Sequence, residues 1–128
     1  MRLLLDTHAF LWWLAGDDAL SVAAKTAIGD EANEIFVSAA SAWQITTKHR
    51  IGKLSGVAAI VADLDAAILG QGFIGLPISL RHGQVAGALP GPHRDPFDRM
   101  LIAQAMLESL VLVSNERSFD AYGVGRLW

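Results

Sequence analysis

Cysteine is absent from the 128 residues of the chain, which excludes disulfide bonds and thiolate metal sites alike. No apolar run approaches the ~20 residues that a membrane-spanning helix needs. The apolar start of the chain, residues 1–5, is too short for a signal-peptide core and runs directly into Asp6. We therefore expect a cytoplasmic protein without a membrane segment.

Positive charge is also scarce, with 10 Lys and Arg against 13 Asp and Glu and a formal net charge of −3. A protein that coats nucleic acid is usually basic, so this class is disfavoured. A nuclease is not excluded, because bound cations can mask an acidic centre.

Apolar residues are abundant instead, at 52% of a chain whose length suits one domain over residues 1–128. We interpret the excess as a large core plus a surface that a partner covers. Four tryptophans are difficult to hide completely in a domain of this size. For the adjacent pair Trp12 and Trp13, core packing or a face for a second chain is favoured over base stacking, because the surrounding helix is strongly apolar.

Short β-type runs alternate with longer runs of helical periodicity. Strands are predicted over residues 2–5, 35–37, 74–78, 110–113 and 124–128. Helices are predicted over residues 7–14, 21–28, 38–51, 57–69, 79–89 and 95–107. Gly75 and Pro77 weaken the third strand and favour a position at a sheet edge. The alternation is typical of an α/β fold with a parallel sheet covered on both faces.

Three carboxylates are placed at related points of this pattern. Asp6 closes the first strand, Glu116 follows the fourth, and Asp98 lies in the first turn of the last helix. Since the carboxyl ends of parallel strands share one rim of a sheet, we expect these acids to converge there. Crowded carboxylates repel one another, and a hard divalent cation with oxygen ligands removes that penalty. Such ions suit phosphate chemistry, because they activate water and stabilise a leaving oxygen.

Each acid also has a plain structural explanation. Asp6 is as well explained as a helix cap, and Glu116 as a solvated loop acid. Asp95 is better explained as the N-cap before Pro96 than as a ligand. Asp98 is harder to dismiss, because it heads a stripe that should face the sheet, composed of Leu101, Ile102 and Ala105. Only the set of acids favours a metal site.

Four motifs carry a resemblance to a known family. They are LLLDTH at residues 3–8, SAWQI at 41–45, HRDPFDR at 93–99 and LVSNE at 112–116. In this order they resemble the motifs of PIN domains of the VapC toxin type, and they span nearly the whole chain. The resemblance implies a three-layer α/β/α sandwich with a short parallel sheet.

The resemblance also implies an activity and partners. VapC-type PIN domains are Mg²⁺- or Mn²⁺-dependent endoribonucleases that cleave RNA, often tRNA, as the toxins of toxin–antitoxin pairs. The implied assembly is a homodimer bound to a cognate antitoxin, which inserts a segment into the acidic groove. Operator DNA would be bound only through the antitoxin.

Residue roles follow from the same resemblance. Asp6 and Asp98 correspond to primary metal ligands, and Glu116 stands where the family usually carries the shorter aspartate. Residues that would orient ligands or waters are Thr7, Ser114 and Asn115. The candidates for RNA contact are Lys48, which shares a helix face with Gln44, and Arg99, for which pairing with Asp95 is the alternative.

Gln44 departs from the family pattern, which has glutamate at this catalytic position. Glutamine keeps the shape and one acceptor oxygen but loses the charge, so it cannot act as a base. We expect weaker metal binding and reduced or abolished cleavage. A natural variant, a degenerate toxin and a deliberately inactivated chain all remain open at this point.

Two other classes of protein compete with a nuclease. A phosphoacceptor receiver domain needs an aspartate at the end of its third strand, and here that strand ends at Ser79 without an acid. A non-catalytic PIN-fold module that binds antitoxin or RNA without cleaving remains the alternative, since Gln44 could have disabled the site.

Overall fold

In the computed structural model, which describes residues 1–128, five strands form a single sheet in which all neighbours are parallel. The strands are β1 (Arg2–Leu5), β2 (Glu34–Ser38), β3 (Ile74–Leu76), β4 (Val111–Val113) and β5 (Arg126–Leu127). Their order is β3-β2-β1-β4-β5. The parallel sheet is confirmed, and so is the edge position of β3, which pairs with β2 alone.

Seven helices cover the sheet. They are α1 (Thr7–Ala15), α2 (Val22–Gly29), α3 (Ala39–Arg50), α4 (Ala58–Ala62), α5 (Leu64–Gly70), α6 (Leu80–Ala88) and α7 (Pro96–Glu108). A 3₁₀ turn, Arg117–Tyr122, links β4 to β5. None of the helices has the length and apolar character needed to cross a bilayer.

Two apolar clusters lie on opposite faces of the sheet, because successive side chains of a strand point in opposite directions. In β1, Leu3 and Leu5 join one cluster with Phe10 of α1. Leu4 lies in the other cluster, with Leu112 of β4 and Ile102 of α7. Leu3, Leu4 and Leu5 of β1 are fully buried between the two layers, which confirms the α/β/α sandwich.

Helix starts follow local signals in the sequence. Asp6, Ser21, Ser38 and Ser79 each accept a hydrogen bond from a backbone N–H of the first turn that follows, the usual work of an N-cap. Asp95 caps α7 in the same way and Pro96 occupies the first helical position, as expected. The bounds of these helices agree with prediction to within about two residues.

One helix prediction was wrong. Residues 57–69 form two short helices because Asp63 leaves helical geometry, with φ −155° and ψ 89°. Its carboxylate accepts a hydrogen bond from the Ala66 N–H, so Asp63 is the N-cap of α5. The predicted strand over 124–128 is also shorter, at Arg126–Leu127.

The four tryptophans have different environments. Trp12 and Trp13 pack against the first apolar cluster, and the Trp13 indole donates to Gln71 Oε1 at 2.9 Å. Core packing therefore explains the position of Trp12 and Trp13. Trp43 is 66% exposed, so the expectation that not all tryptophans are hidden is confirmed at α3.

Candidate active site at the carboxyl edge of the sheet

A cleft of about 190 Å³ opens at the carboxyl ends of β1 and β4. No hydrophobic residue lines it. Its lining residues are Asp6, Thr7, His8, Gln44, Lys48, Asp95, Asp98, Asn115 and Glu116. A larger cavity of about 540 Å³ lies between β2, β3 and α5, but most of its lining is apolar. The chemistry expected from the sequence therefore belongs to the smaller polar cleft.

Asp6 caps a helix and also lies in the cleft, and its role as a metal ligand stays a prediction. It caps α1 by accepting a hydrogen bond from the Ala9 N–H at 2.8 Å, and it also lines the cleft. Burial raises the pKa of this carboxyl, and the nearby charge of Glu116 raises it further. A hydrogen bond from Ser114, at the end of β4, opposes the rise in pKa.

Asp98 enters the cleft from the first turn of α7. Burial raises its pKa, and the charges of Asp95 and Asp6 act in the same direction. A hydrogen bond from His93, whose Nε2 lies 2.8 Å from Asp98 Oδ2, lowers it. The fold brings the two acids together, since Asp6 and Asp98 line the same cleft. The stripe behind Asp98 is buried as predicted, at Leu101, Ile102 and Ala105.

Glu116 lies at the rim of the cleft and is exposed. Its backbone N–H donates to Ser114 Oγ at 3.0 Å, which turns the chain sharply after β4. Its Oε1 accepts a hydrogen bond from Ser118 Oγ at 3.1 Å. Asn115 lines the same rim, whereas Ser114 is fully buried behind it.

Gln44 projects into the cleft from α3 and contacts Thr7. The Thr7 Oγ1 atom lies 2.6 Å from Gln44 Oε1 and 3.0 Å from Ser41 Oγ. A hydroxyl has a single proton to donate, and the shorter distance assigns that proton to Gln44. Ser41 then donates to Thr7, so the hydroxyl chain fixes the side chain at position 44.

Residues 3–125 match the PIN domain family. This chain belongs to the PIN domain family. It is 29% identical over 121 residues to Ribonuclease VapC22 of Mycobacterium tuberculosis, covering 93% of this chain and 90% of that protein. The resemblance found in the four motifs is thereby confirmed.

Solved structures of low sequence identity share the fold of this PIN domain. VapBC2 from Rickettsia felis, bound to a DNA fragment from its promoter, has a TM-score of 0.69 at 15% identity, over 98% of this chain and 97% of that one. VapBC-1 from nontypeable Haemophilus influenzae has a TM-score of 0.67 at 13% identity, over 98% and 96%.

The two basic candidates of this PIN domain have different positions. Lys48 lines the cleft and forms no ion pair. Arg99 is absent from the lining, and pairs with neither Asp95 nor any other acid. Its guanidinium donates to backbone carbonyls of Ala86, Gly87, Leu89 and His93, at 2.5 to 3.4 Å. The structure therefore gives Arg99 a loop-fixing role and no pairing with Asp95, while its contact with RNA stays a prediction.

Other contacts of the site are visible only in the folded chain. His8 lines the cleft, and Ser118 contacts both Glu116 and the ring of His93. Asp95 lines the cleft in addition to capping α7. The motif HRDPFDR contains His93, but only the folded loop shows that this ring faces Asp98.

The donors in the cleft suit a hydrated divalent cation. No three acidic or histidine side chains lie close enough to form a ready-made metal cluster. Two half-buried to buried carboxylates with raised pKa values nevertheless share an all-polar cleft with amide and hydroxyl oxygens. Mg²⁺ typically takes one or two carboxylates and retains several waters, so the residues present fit such an ion.

Proposed function

We propose that this PIN domain is a Mg²⁺- or Mn²⁺-dependent endoribonuclease and the toxin of a toxin–antitoxin pair. The observation that carries the proposal is the meeting of Asp6 and Asp98 in one polar cleft, where burial raises the pKa of both carboxyls. The relative named as a ribonuclease, and the neighbours described as VapBC assemblies, support the same assignment.

Asp6 and Asp98 would hold the cation, with Glu116 reaching it directly or through water. When bound, the ion supplies an activated water and stabilises the departing oxygen of the phosphodiester. The other residues of the site orient ligands and waters. Ser114 holds Asp6, Thr7 holds Gln44, and Asn115 offers an amide to waters or ligands at the rim. Lys48 would bind an RNA phosphate without reading sequence.

Gln44 supports a second candidate function. Its Oε1 already accepts a hydrogen bond from Thr7, and its amide adds no negative charge to the cleft. The alternative is therefore a PIN-fold module that binds antitoxin or RNA without cleaving. The active enzyme remains the first proposal because Asp6, Asp98 and Glu116 are all present.

An apolar groove beside the cleft supports the proposed antitoxin partner. A cavity of about 420 Å³ is lined by residues of α1, of the segment before α4 and of α4 itself, including Trp12, Leu54 and Ile60. His8 lines both this groove and the polar cleft. An apolar antitoxin segment in the groove could therefore extend a polar end towards Asp6. Operator DNA would then be bound through the antitoxin.

A separate apolar surface supports the proposed homodimer. Trp43, Ile78 and Phe97 line one mostly apolar groove, and Trp43 is 66% exposed. Exposed apolar groups mark contact surfaces when they are grouped. Trp43 packs on Phe97 with a ring distance of 5.1 Å. We propose that such a dimer cleaves RNA, tRNA among the candidates, in the cytoplasm.

Cleavage of a total tRNA pool tests the proposal. The chain and its Gln44→Glu variant are incubated with Mg²⁺ or Mn²⁺, and Asp98→Asn serves as the inactive control. Cutting by the chain but not by Asp98→Asn supports an active enzyme with a tolerated glutamine. Cutting by Gln44→Glu alone identifies a disarmed nuclease. If neither folded protein cuts several RNA pools, the binding module replaces the enzyme.

A further inference from the structure

His93 contacts the candidate ligand Asp98 from behind the cleft. Its Nε2 lies 2.8 Å from Asp98 Oδ2, and the imidazole is only 17% exposed. His93 is not among the residues that line the cleft. The ring therefore meets the carboxylate on the side away from the space that an ion and RNA would occupy.

The imidazole is held in place by contacts that do not involve Asp98. Phe119 and Tyr122 each pack against it in a T-shaped arrangement, at ring distances of 5.7 Å and 6.4 Å. The backbone N–H of His93 donates to the Tyr122 hydroxyl at 3.2 Å. Ser118 Oγ lies 3.4 Å from Nδ1. A ring fixed in this way can orient a carboxylate without moving to meet it.

Arg99 fixes the same loop from its other side. Its Nη1 donates to the His93 carbonyl at 2.9 Å, and its Nη2 to the Leu89 carbonyl at 2.5 Å. Arg99 follows Asp98 directly in α7. The helix that carries the acid therefore also anchors the loop that carries its partner, which fixes the distance between His93 and Asp98.

We propose that His93 is a positioning residue that holds Asp98 Oδ2, so that Oδ1 is presented to the cation. The inference rests on the proposed metal-dependent function. A residue that hydrogen-bonds a metal-ligating carboxylate orients that carboxylate. Loss of such a residue commonly weakens metal affinity about 10- to 100-fold. His93 acts on the ion only through Asp98, so it is distinct from the residues that touch substrate or metal.

A second histidine–carboxylate pair offers a matched comparison. His82 Nε2 lies 2.9 Å from Glu108 Oε1, and this pair links α6 to the end of α7, away from the cleft. His82 is 3% exposed, so its replacement tests the general cost of removing a buried histidine. It should leave the metal site unchanged.

The test compares two amides that differ by one methylene. His93→Gln places a nitrogen near the position of Nε2, whereas the amide of His93→Asn falls short of Asp98. Mn²⁺ binding is measured on RNA-free protein by the electron paramagnetic resonance signal of the free ion. We expect His93→Asn to weaken Mn²⁺ affinity about tenfold. His93→Gln should stay within about threefold of the parent, and His82→Gln should match it.

Other outcomes overturn the inference and are distinguishable. Equal Mn²⁺ affinity for His93→Asn and the parent, or tighter binding by the variant, would overturn the positioning role alone. No Mn²⁺ binding by the parent would overturn the metal-dependent function together with this inference. If His93→Asn does not unfold cooperatively, Tyr122→Phe supplies the second test. It removes the hydroxyl that fixes His93, and unchanged Mn²⁺ affinity in that folded variant would also count against the proposal.

Discussion

The Thr7 hydroxyl lies 2.6 Å from Oε1 of Gln44, at a point where a glutamate would place a carboxylate oxygen. Glutamine and glutamate have the same shape, and both accept a hydrogen bond through this oxygen. The surroundings of position 44 therefore suit an acid as well as the amide that is present. What the amide removes is one negative charge from a cleft that already contains Asp6 and Asp98.

Gln44→Glu should make the protein depend more strongly on divalent cations for its stability. Without metal, the added charge repels the neighbouring acids, and we expect a loss of about 1 kcal/mol, or roughly 3 °C in Tm. With saturating Mn²⁺, the variant should gain more in Tm than the parent. The added carboxylate should bind the ion more tightly, and tighter binding stabilises the folded state more. Thermal unfolding with EDTA and with Mn²⁺ measures both effects.

Gln84→Glu is the matched control for this change. Gln84 is exposed on α6 and makes no contact with the cleft, so the same added charge should leave the effect of Mn²⁺ on Tm unchanged. Equal Mn²⁺-induced shifts for the parent and for Gln44→Glu would show that position 44 does not influence metal binding.

Asp6→Asn should stabilise the metal-free protein at neutral pH. Burial raises the pKa of Asp6 in the folded state above its ordinary value of 3.8, so the folded chain retains a proton that the unfolded chain has lost. Stability therefore falls as pH rises from the ordinary pKa through the folded pKa, and remains lower above it. Asparagine still accepts the hydrogen bond from Ala9 and avoids this loss. We expect a gain of about 1 kcal/mol at pH 7.

Chemical denaturation across a pH series checks this prediction. The gain should disappear below the ordinary pKa of 3.8, where Asp6 is protonated in both states. Asp63→Asn is the control, since Asp63 caps α5 in the same manner but is exposed, and it should show no gain at pH 7. A stability loss for Asp6→Asn at pH 7 without metal would contradict the argument.

Local signals made much of the fold predictable from the sequence. Side-chain caps such as Ser38 and Asp95 can be recognised because each binds a backbone N–H within the first helical turn. The apolar runs of β1 and β4 are continuous. The convergence of Asp6 and Asp98 followed from the parallel arrangement of strands, which places their carboxyl ends on one rim. These features depend on short-range patterns and one topological rule.

Other features depend on contacts that no short pattern encodes. Arg99 donates to carbonyls at the end of α6 and in the loop that follows it, so its role could not be inferred from a neighbouring acid. The ring of His93 reaches Asp98 because Phe119 and Tyr122, distant in sequence, flank it. The break at Asp63 opposes an apolar periodicity that continues through the segment.

Arg99→Lys should destabilise the loop between α6 and α7 although it keeps the positive charge. A guanidinium presents five donors in a planar fork, and lysine presents one ammonium. Lysine cannot reach the carbonyls of Ala86, Leu89 and His93 together. We expect the free energy of unfolding in urea to fall by about 2 kcal/mol. Arg81→Lys, at an exposed position on α6, should change it little, and equal values for the two variants would refute the loop-fixing role.

Lys48→Gln should weaken RNA binding by removing a phosphate contact. Each lost contact with single-stranded nucleic acid reduces the slope of log affinity against log salt by about 0.7. We expect that change in Lys48→Gln, measured in an Asp98→Asn background so that RNA is not cut during the titration. Lys25→Gln should keep the parental slope, because Lys25 pairs with Asp18 at 3.1 Å and lies outside the cleft.

The salt dependence separates an electrostatic contact from a loss of folding. A destabilised protein binds less RNA at every salt concentration and keeps the slope, whereas loss of one phosphate contact lowers the slope itself. An unchanged slope in Lys48→Gln would mean that this lysine does not face the RNA. Lys48 is the only lysine or arginine in the lining of the cleft. RNA would then have to approach the acids through contacts from outside the cleft.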